Sequence, residues 1–343
     1  YGGPMYYISR GLKNKGFVTL GKVAAALFAV FCIGGSFGGG NAAQSNQATS
    51  VVKELFGWDS AMAGTIIGLV LALLVGVIII GGIKRIASVT EKVVPFMALL
   101  YIVACLYIIF GYFSLIDDAI GLIIKEAFNP TAIGVGGVIG VLLVGFRRAA
   151  FSNEAGAGSA SIAHSAVKTK YSASEGLVAL LEPFIDTVVI CTMTALVIII
   201  FNFGGVFEYG GDGSGAVFID GVAYEGAGIT SQAFAQYIPY SNVFLTIAVV
   251  LFAVSTMISW SYYGLQSWKF LFGRGKRMDL VYKLLFLTFV VIGAAASMDS
   301  IWAFSDAMIF AMVFPNMGGL YFLFPEVKKQ LRRYLDAIKA SKA

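Results

Sequence analysis

The stretch GFRRAAFSNEAGAGSASIAHSA, residues 145 to 166, lies in an apolar region of the chain and carries two arginines, a glutamate and three glycines. A charge at the centre of a bilayer costs about 2.5 to 3.5 kcal/mol even on a lenient insertion scale. Irregular backbone is tolerated at that depth only where protein or a water-filled cavity surrounds it. The stretch therefore predicts a helix broken beside a cavity, with residues 151 to 159 unwound. In the alternative, its small residues only kink a continuous helix to allow close packing.

The composition places the rest of the chain in a membrane as well. Its 343 residues are 58% hydrophobic and 13% charged, with a mean hydropathy of +0.84, whereas soluble proteins are about 25% charged. Blocks such as MAGTIIGLVLALLVGVIIIGG, residues 62 to 82, are apolar on every side. Barrel strands would alternate apolar and polar residues instead. The chain is therefore predicted to be an all-α membrane protein in one domain, residues 1 to 343.

Hydropathy and loop charge together predict the topology. Eight membrane spans are predicted, at residues 18 to 38, 61 to 82, 93 to 113, 131 to 163, 174 to 202, 241 to 268, 280 to 297 and 301 to 324. Basic residues concentrate in every second connection and acidic residues in the others, so the positive-inside rule predicts that both ends are cytoplasmic. The net charge of +5 fits flanks that face anionic lipid and gives no reason to expect a nucleic-acid partner. The outer connection at 202 to 238 is interpreted as a connector or a lid.

The predicted break supplies groups that bind ions. A broken helix leaves carbonyls free at the end of its first half and N–H groups free at the start of its second half. N–H groups favour a carboxylate, and carbonyls favour a cation. Arg147, Arg148 and Glu154 lie together at this point, and two interpretations stay open: they line a ligand cavity, or Glu154 pairs with one of the arginines.

The next span raises a similar choice. Glu182 and Asp186 lie one helical turn apart on one face, and burial requires partners for them. Arg147 and Arg148 on the neighbouring span are the candidates for a structural ion pair. A proton relay through the two carboxylates is the alternative.

Several motifs carry a resemblance to a known family. The stretch GFRRAAFSNEAGAGSASIAHSAVKT resembles the signature of the alanine or glycine:cation symporter family. Other matching pieces occur in family order along the chain: YGGPMYYISRGL (1 to 12), GGGNAAQSNQ (38 to 47), GGIKRI (81 to 86), EPFIDTVVICTMTALV (182 to 197), FAVSTMISWSYYG (252 to 264) and FPNMGGL (314 to 320). Ser161 stands where the family pattern has proline.

The resemblance implies a LeuT-like fold of two inverted five-helix repeats, each beginning with a broken helix. The remainder of the first repeat would be residues 1 to 127, the second repeat 128 to 325 and a cytoplasmic tail 326 to 343. The family's first broken helix has no counterpart here, so the resemblance places it before Tyr1. The implied activity is sodium-coupled symport of a small neutral amino acid, alanine or glycine, across the cell membrane, with no organic cofactor.

The site residues follow from the resemblance and from the break together. The substrate-binding candidates are Gln44, Phe151, Ser152, Asn153, Gly156 and Gly158. Ser255 and Thr256 are the candidate sodium ligands, and the candidates for gates or structural ion pairs are Arg147, Arg148, Glu154 and Asp186. Ordinary alternatives stay open: Gln44 caps a helix, and the two hydroxyls bond the carbonyls one turn earlier.

Other functions remain as alternatives. These are a proton-coupled transporter, an ion channel of similar architecture, or an inactive fragment. An enzyme is disfavoured because one histidine without cysteine ligands offers neither an activated nucleophile nor a metal cluster. The sequence does not decide between alanine and glycine, between sodium and proton, or among oligomeric states.

Overall fold

A computed structural model describes residues 2–60, 62–128, 137–209 and 216–342, with the backbone alone described for 137–144 and 342. The helices in these ranges are α1 (Pro4–Asn14), α2 (Val18–Phe37), α3 (Ala43–Phe56), α4 (Ala63–Ile80), α5 (Gly82–Gly111), α6 (Ile116–Ala127), α7 (Gly137–Asn153), α8 (Ala160–His164), α9 (Ser172–Ala179), α10 (Leu181–Pro183), α11 (Thr192–Asn202), α12 (Ala227–Tyr237), α13 (Ser241–Phe272), α14 (Lys276–Ala295) and α15 (Met298–Lys342). Two π-helical segments, π1 (Gly38–Ala42) and π2 (Phe184–Cys191), and a 3₁₀ turn, Phe113–Leu115, join some of them. The strands are β1 (Val217–Ile219) and β2 (Val222–Tyr224).

Seven helices among the described residues are long and apolar enough to cross a membrane. They correspond to seven of the eight predicted spans. The remaining predicted span, 131 to 163, lies partly outside the described residues, and its described part begins with α7 at Gly137. The prediction of a multi-pass, helical membrane protein is therefore confirmed.

At three predicted boundaries the helix continues through polar residues. The first span continues beyond residue 38, because α2, π1 and α3 form one helical run, Val18–Phe56. The basic connection after the second span lies inside α5, which begins at Gly82 directly after α4. The tail predicted from residue 326 continues α15 as far as Lys342. A hydropathy pattern places the end of a span where charged residues begin. The helix itself continues there, because Lys, Arg, Gln and Leu are good helix formers.

Side-chain hydrogen bonds attach the run α2–π1–α3 to α14. Asn41 Nδ2 donates to the carbonyl of Phe286 at 2.7 Å, and Ser45 Oγ donates to that of Val290 at 2.6 Å. Asn46 Nδ2 donates to the carbonyl of Ala296 at 2.9 Å. Polar side chains that bond across helices are a common means of attachment where lipid removes the hydrophobic drive. The glycine run and its flanks are therefore held inside the helix assembly.

The predicted outer connection contains a small folded unit. Strands β1 and β2 pair antiparallel, with Phe218 opposite Ala223, and α12 follows them. The backbone N–H of Ala227 donates to Gln47 Oε1 on α3 at 2.8 Å. Gln232 Nε2 donates to Glu54 Oε1, also on α3, at 2.6 Å. The hairpin unit is therefore attached to the end of α3.

Candidate functional site

The predicted broken helix is present. Helix α7 ends at Asn153, and α8 begins at Ala160. Between them Glu154, Gly156 and Gly158 have φ angles of 56°, 83° and 97°. Glycine adopts this left-handed region at no steric cost, whereas a residue with a Cβ atom does so rarely. The unwound segment is 154 to 159, shorter than the predicted 151 to 159, because residues 151 to 153 complete the last turn of α7.

Local hydrogen bonds hold the first half of the break. Asn153 Oδ1 accepts from the N–H of Ala155 at 2.9 Å, and its Nδ2 donates to Thr187 Oγ1 at 2.7 Å. Ser159 Oγ donates to the carboxylate of Glu154. The predicted ion pair between Glu154 and an arginine is therefore wrong. The turn brings Ser159 back to Glu154, whereas the arginines lie about 9 Å earlier along α7, at 1.5 Å per residue.

Two carbonyls of the unwound segment accept hydrogen bonds from side chains, and those of Glu154 and Ser159 accept from backbone N–H groups. The carbonyl of Gly156 accepts from Asn316 Nδ2 on α15 at 2.8 Å. The carbonyl of Gly158 accepts from Ser161 Oγ at 2.7 Å. The expectation of bare peptide groups in the break is therefore corrected at these four positions. Unwound backbone inside a protein still finds partners, because an unpaired buried carbonyl is costly.

A cavity of about 550 Å³ lies beside the break. This volume falls within the range of about 300 to 1,000 Å³ that is typical of small-molecule sites. Seven predicted site residues line it: Gln44, Phe151, Ser152, Glu154, Asp186, Ser255 and Thr256. The structure thus brings together residues from four separate segments of the sequence that the motifs had singled out.

The polar groups of the lining are partly bonded to one another. Ser152 Oγ donates to Asp186 Oδ2 at 2.6 Å, which joins the end of α7 to π2. Gln44 Nε2 donates to the carbonyl of Gly39 at 3.0 Å. Ser255 Oγ donates to the carbonyl of Phe252 at 2.8 Å, as the alternative of bonding within the helix predicted. The same side chain also lines the cavity.

The predicted pairing of Asp186 with an arginine is wrong. The carboxylate of Asp186 accepts from Ser152 and, at 3.2 Å, from Thr187 Oγ1. Arg148 turns instead toward α15, where its Nη2 donates to Asp306 Oδ1 at 2.6 Å. Arg147 is exposed and forms no ion pair with any residue that the structure describes. Neighbours on a helix point in directions about 100° apart, so the two arginines meet different surroundings.

Aromatic rings complete the environment of Arg148. Its guanidinium lies 4.5 Å from the ring centroid of Trp302 and 5.4 Å from that of Phe151. The two rings meet edge to face with centroids 4.9 Å apart. A cation over an aromatic face gains about 0.5 to 2 kcal/mol. Ion pair and rings together fasten α7 to α15 next to the cavity.

Three predicted substrate-binding residues lie outside the cavity lining. Asn153 is hydrogen-bonded to π2, and Gly156 is hydrogen-bonded to α15, as described above. An added Cβ at Gly158 would lie 2.8 Å from Asn316 Cγ, so this glycine permits close packing against α15. These residues shape the break, and the cavity is lined by their neighbours.

The sequence interpretation missed functional candidates on the last span. Asp306 and Trp302 lie in an apolar run, and an acid in such a run is the signal that singled out Glu182 and Asp186. Asn316 lies in FPNMGGL, directly after a proline, where helix carbonyls lose a partner. Trp260 and Tyr263 of α13 also line the cavity.

His164 has acidic neighbours. Its Nδ1 lies 2.7 Å from Glu175 Oε1, and its Nε2 lies 3.6 Å from Glu182 Oε2. The two carboxylates come from α9 and α10, so His164 connects the second half of the broken helix to the helices that follow it.

Comparison with known proteins gives relatives along nearly the whole chain. The sodium:alanine symporter family matches residues 1–343. The chain is 37% identical over 343 residues to the sodium/alanine symporter AgcS of Methanococcus maripaludis, covering 98% of this chain and 70% of that protein. It is 33% identical over 342 residues to the probable sodium/glutamine symporter GlnT of Bacillus subtilis, covering 99% and 66%. It is 30% identical over 305 residues to a sodium/proton-dependent alanine carrier protein of Bacillus sp. strain PS3, covering 87% and 67%.

These matches agree with the resemblance that the motifs carry. The match to the family extends across the broken helix, the glycine run of π1 and the hydroxyl pair of α13, which are the elements that meet at the cavity. The chain belongs to the sodium:alanine symporter family.

Proposed function

We propose that the protein is a secondary active transporter that couples sodium to the symport of a small neutral amino acid, alanine or glycine. The observation that carries this proposal is the cavity that the broken helix shares with the hydroxyls of Ser255 and Thr256. Relatives named as sodium/alanine symporter and alanine carrier support the substrate class. A LeuT-like arrangement of inverted repeats, 1 to 127 and 128 to 325, with both ends cytoplasmic, belongs to the same proposal.

The substrate would lie against the last turn of α7. Gln44 and Ser152 offer an amide and a hydroxyl for hydrogen bonds. Glu154 and Asp186 also line the cavity and would attract the substrate's ammonium group. The side chains of Phe151 and Ile309 add an apolar part to the lining, which suits the side chain of a neutral amino acid.

Sodium would bind beside α13. The hydroxyl of Ser255 donates its hydrogen to the carbonyl of Phe252, so the lone pairs of its oxygen remain available to a cation. Thr256 lines the cavity next to it and adds a second oxygen. The nearby carboxylate of Glu154 lowers the cost of holding a cation away from bulk water. Sodium in turn offsets the carboxylate charge of the substrate, which couples the two binding events.

The ion pair of Arg148 and Asp306 would act as the outer gate. It lies about 8 Å from the end of α7, at 1.5 Å per residue, on the side that the charge pattern assigns to the outside. Phe151 lies between this pair and the cavity and contacts both. Opening toward the outside would then require the contact between α7 and α15 to separate.

A proton-coupled variant is the second candidate. The acids Glu154, Glu182 and Asp186 all line the cavity, and His164 lies 3.6 Å from Glu182. One relative is named as a sodium/proton-dependent carrier. These titratable groups would bind and transfer a proton as readily as they would stabilise sodium.

Uptake of labelled alanine by proteoliposomes made from the full-length protein tests the proposal. An inward sodium gradient is expected to drive accumulation above the outside concentration, while equal sodium on both sides gives equilibration only. Accumulation driven by a proton gradient in sodium-free buffer would favour the second candidate. Flux that rises linearly with alanine, without saturation, would point to a channel and overturn both.

A further inference from the structure

The side chain of Asn316 connects three parts of the molecule. It lies on α15 directly after Pro315 and is only 1% exposed. Its Nδ2 donates to the carbonyl of Gly156 in the break at 2.8 Å. Its Oδ1 accepts from the hydroxyl of Tyr7 on α1. Both ends of the amide are therefore used, each by a different segment of the chain.

The residue type is matched to this position. The carbonyl of Gly156 lies in unwound backbone and takes its partner from a side chain. An amide supplies a donor and an acceptor on one short side chain, which neither a hydroxyl nor a carboxylate does in the same geometry. Contact is close here, because a Cβ added at Gly158 would lie 2.8 Å from both Asn316 Cγ and Pro4 Cγ.

The position of Gly156 determines the position of Glu154. The N–H of Ala157 donates to the carbonyl of Glu154 at 3.0 Å, which closes a tight turn around Gly156. Ser159 holds the Glu154 carboxylate from the far side of that turn. If the Gly156 carbonyl is released, the turn loses its attachment to α15, and the carboxylate loses its fixed place in the cavity.

We propose that Asn316 is a positioning residue for transport, which acts through the break and does not touch the substrate. Tyr7 orients the amide, and the amide holds the turn that presents Glu154 to the cavity. This role rests on the proposed function in so far as it predicts an effect on uptake, but the attachment itself is testable without transport.

The test compares Asn316→Asp and Tyr7→Phe with the wild-type protein in proteoliposomes. Asn316→Asp keeps the acceptor for Tyr7 and removes the donor to Gly156, so we expect the KM for alanine and the half-saturating sodium concentration to rise at least about fivefold. Tyr7→Phe keeps the amide donor of Asn316 and removes only the hydroxyl that orients it. We therefore expect both constants to rise by about two- to threefold. The matched control is Asn46→Asp, since Asn46 also donates its amide to helix carbonyls but lies away from the cavity. It should leave both constants unchanged.

A labelling measurement separates this role from general stability. Ala155 is exposed in the break, and Ala155→Cys in a Cys191→Ala background provides a thiol there for alkylation. Adding Asn316→Asp should change its alkylation rate at least about threefold, because the turn is released, while Asn46→Asp should not. Unchanged alkylation and unchanged KM in Asn316→Asp would overturn the proposal. If that variant does not fold, unchanged constants in Tyr7→Phe overturn it. Wild-type uptake that does not depend on sodium would overturn the proposed function alone, since the alkylation result does not depend on transport.

Discussion

Arg148 on α7 and Asp306 on α15 form an ion pair 158 residues apart in sequence, with Nη2 and Oδ1 separated by 2.6 Å. The side chains are 41% and 20% exposed, so the pair is not deeply buried. Water screens such a pair in part, and its strength is that of a favourable surface contact supported by the Trp302 ring. A contact of moderate strength can break and reform during a transport cycle.

Replacing Arg148 should therefore slow transport more than it destabilises the fold. We expect Arg148→Gln to reduce the initial rate of alanine uptake about fivefold. This factor corresponds to a loss of about 1 kcal/mol from the free energy that stabilises the closed gate. The melting temperature should change little. Arg147→Gln is the control, because Arg147 is exposed and has no ion pair among the described residues; it should stay within about twofold of wild type. Equal losses in both variants would contradict the gate.

The hydroxyls of α13 give a matched pair of variants. Ser255 and Ser261 are both buried and both donate to the carbonyl three residues earlier, at 2.8 and 2.7 Å. Only Ser255 lines the cavity. Ser255→Ala should raise the half-saturating sodium concentration about tenfold, since one oxygen ligand is lost, and Ser261→Ala should leave it unchanged. Sodium titration of alanine uptake measures both. A parallel response of the two variants would indicate a helix effect and no sodium site at Ser255.

Close packing at the glycine run is testable by thermal unfolding. A Cβ added at Gly40 would lie 2.1 Å from Trp260 Cγ, so the ring must move or the helices must separate. We expect Gly40→Ala to destabilise the protein by about 1 to 3 kcal/mol. Gly121→Ala on α6 is the control, because nothing lies within 4 Å of its added Cβ; it should be stabilising by about 0.5 to 1 kcal/mol. A neutral Gly40→Ala would mean that Trp260 is free to rotate away.

The attachment of the hairpin unit can be followed by proteolysis. Gln47→Leu leaves the N–H of Ala227 without its acceptor, and Glu225, two residues earlier, is exposed. Cleavage after Glu225 by a glutamate-specific protease should become about fivefold faster, since local opening becomes easier. Gln330→Leu, which removes a half-buried glutamine bonded to Glu326 on α15, serves as the control. Identical cleavage rates would contradict a role for Gln47 in holding the hairpin.

The broken helix and most of the spans could be predicted from the sequence. Both are local signals: a run of apolar residues specifies a span, and charges beside glycines in such a run specify a break. The residues that line the cavity could be predicted in part, because a family motif marks each of the segments that meet there. The segments 1 to 127 and 128 to 325 as inverted repeats, and both ends on the cytoplasmic side, remain predictions.

The partners of the charged residues could not be predicted. Arg147 and Arg148 were the expected partners of Glu154 and Asp186, whereas the structure pairs these acids with Ser159 and Ser152 and pairs Arg148 with Asp306. Pairing in a membrane protein depends on which helix faces which, and that is decided by packing along the full length of each helix. The π-helical segments were missed for the same reason, since no local residue type specifies them.

Helix α15 contacts the ion pair through Asp306 and the break through Asn316, and near its end Tyr334 meets Tyr171 at the start of α9, with ring centroids 5.6 Å apart. Its 45 residues extend about 67 Å at 1.5 Å per residue, although Pro315 and Pro325 interrupt its bonding. Asp306 and Asn316 thus lie on the same helix, on either side of Ile309, which lines the cavity. A displacement of α15 would therefore move Asp306 and Asn316 together, which would couple the proposed gate to the broken helix.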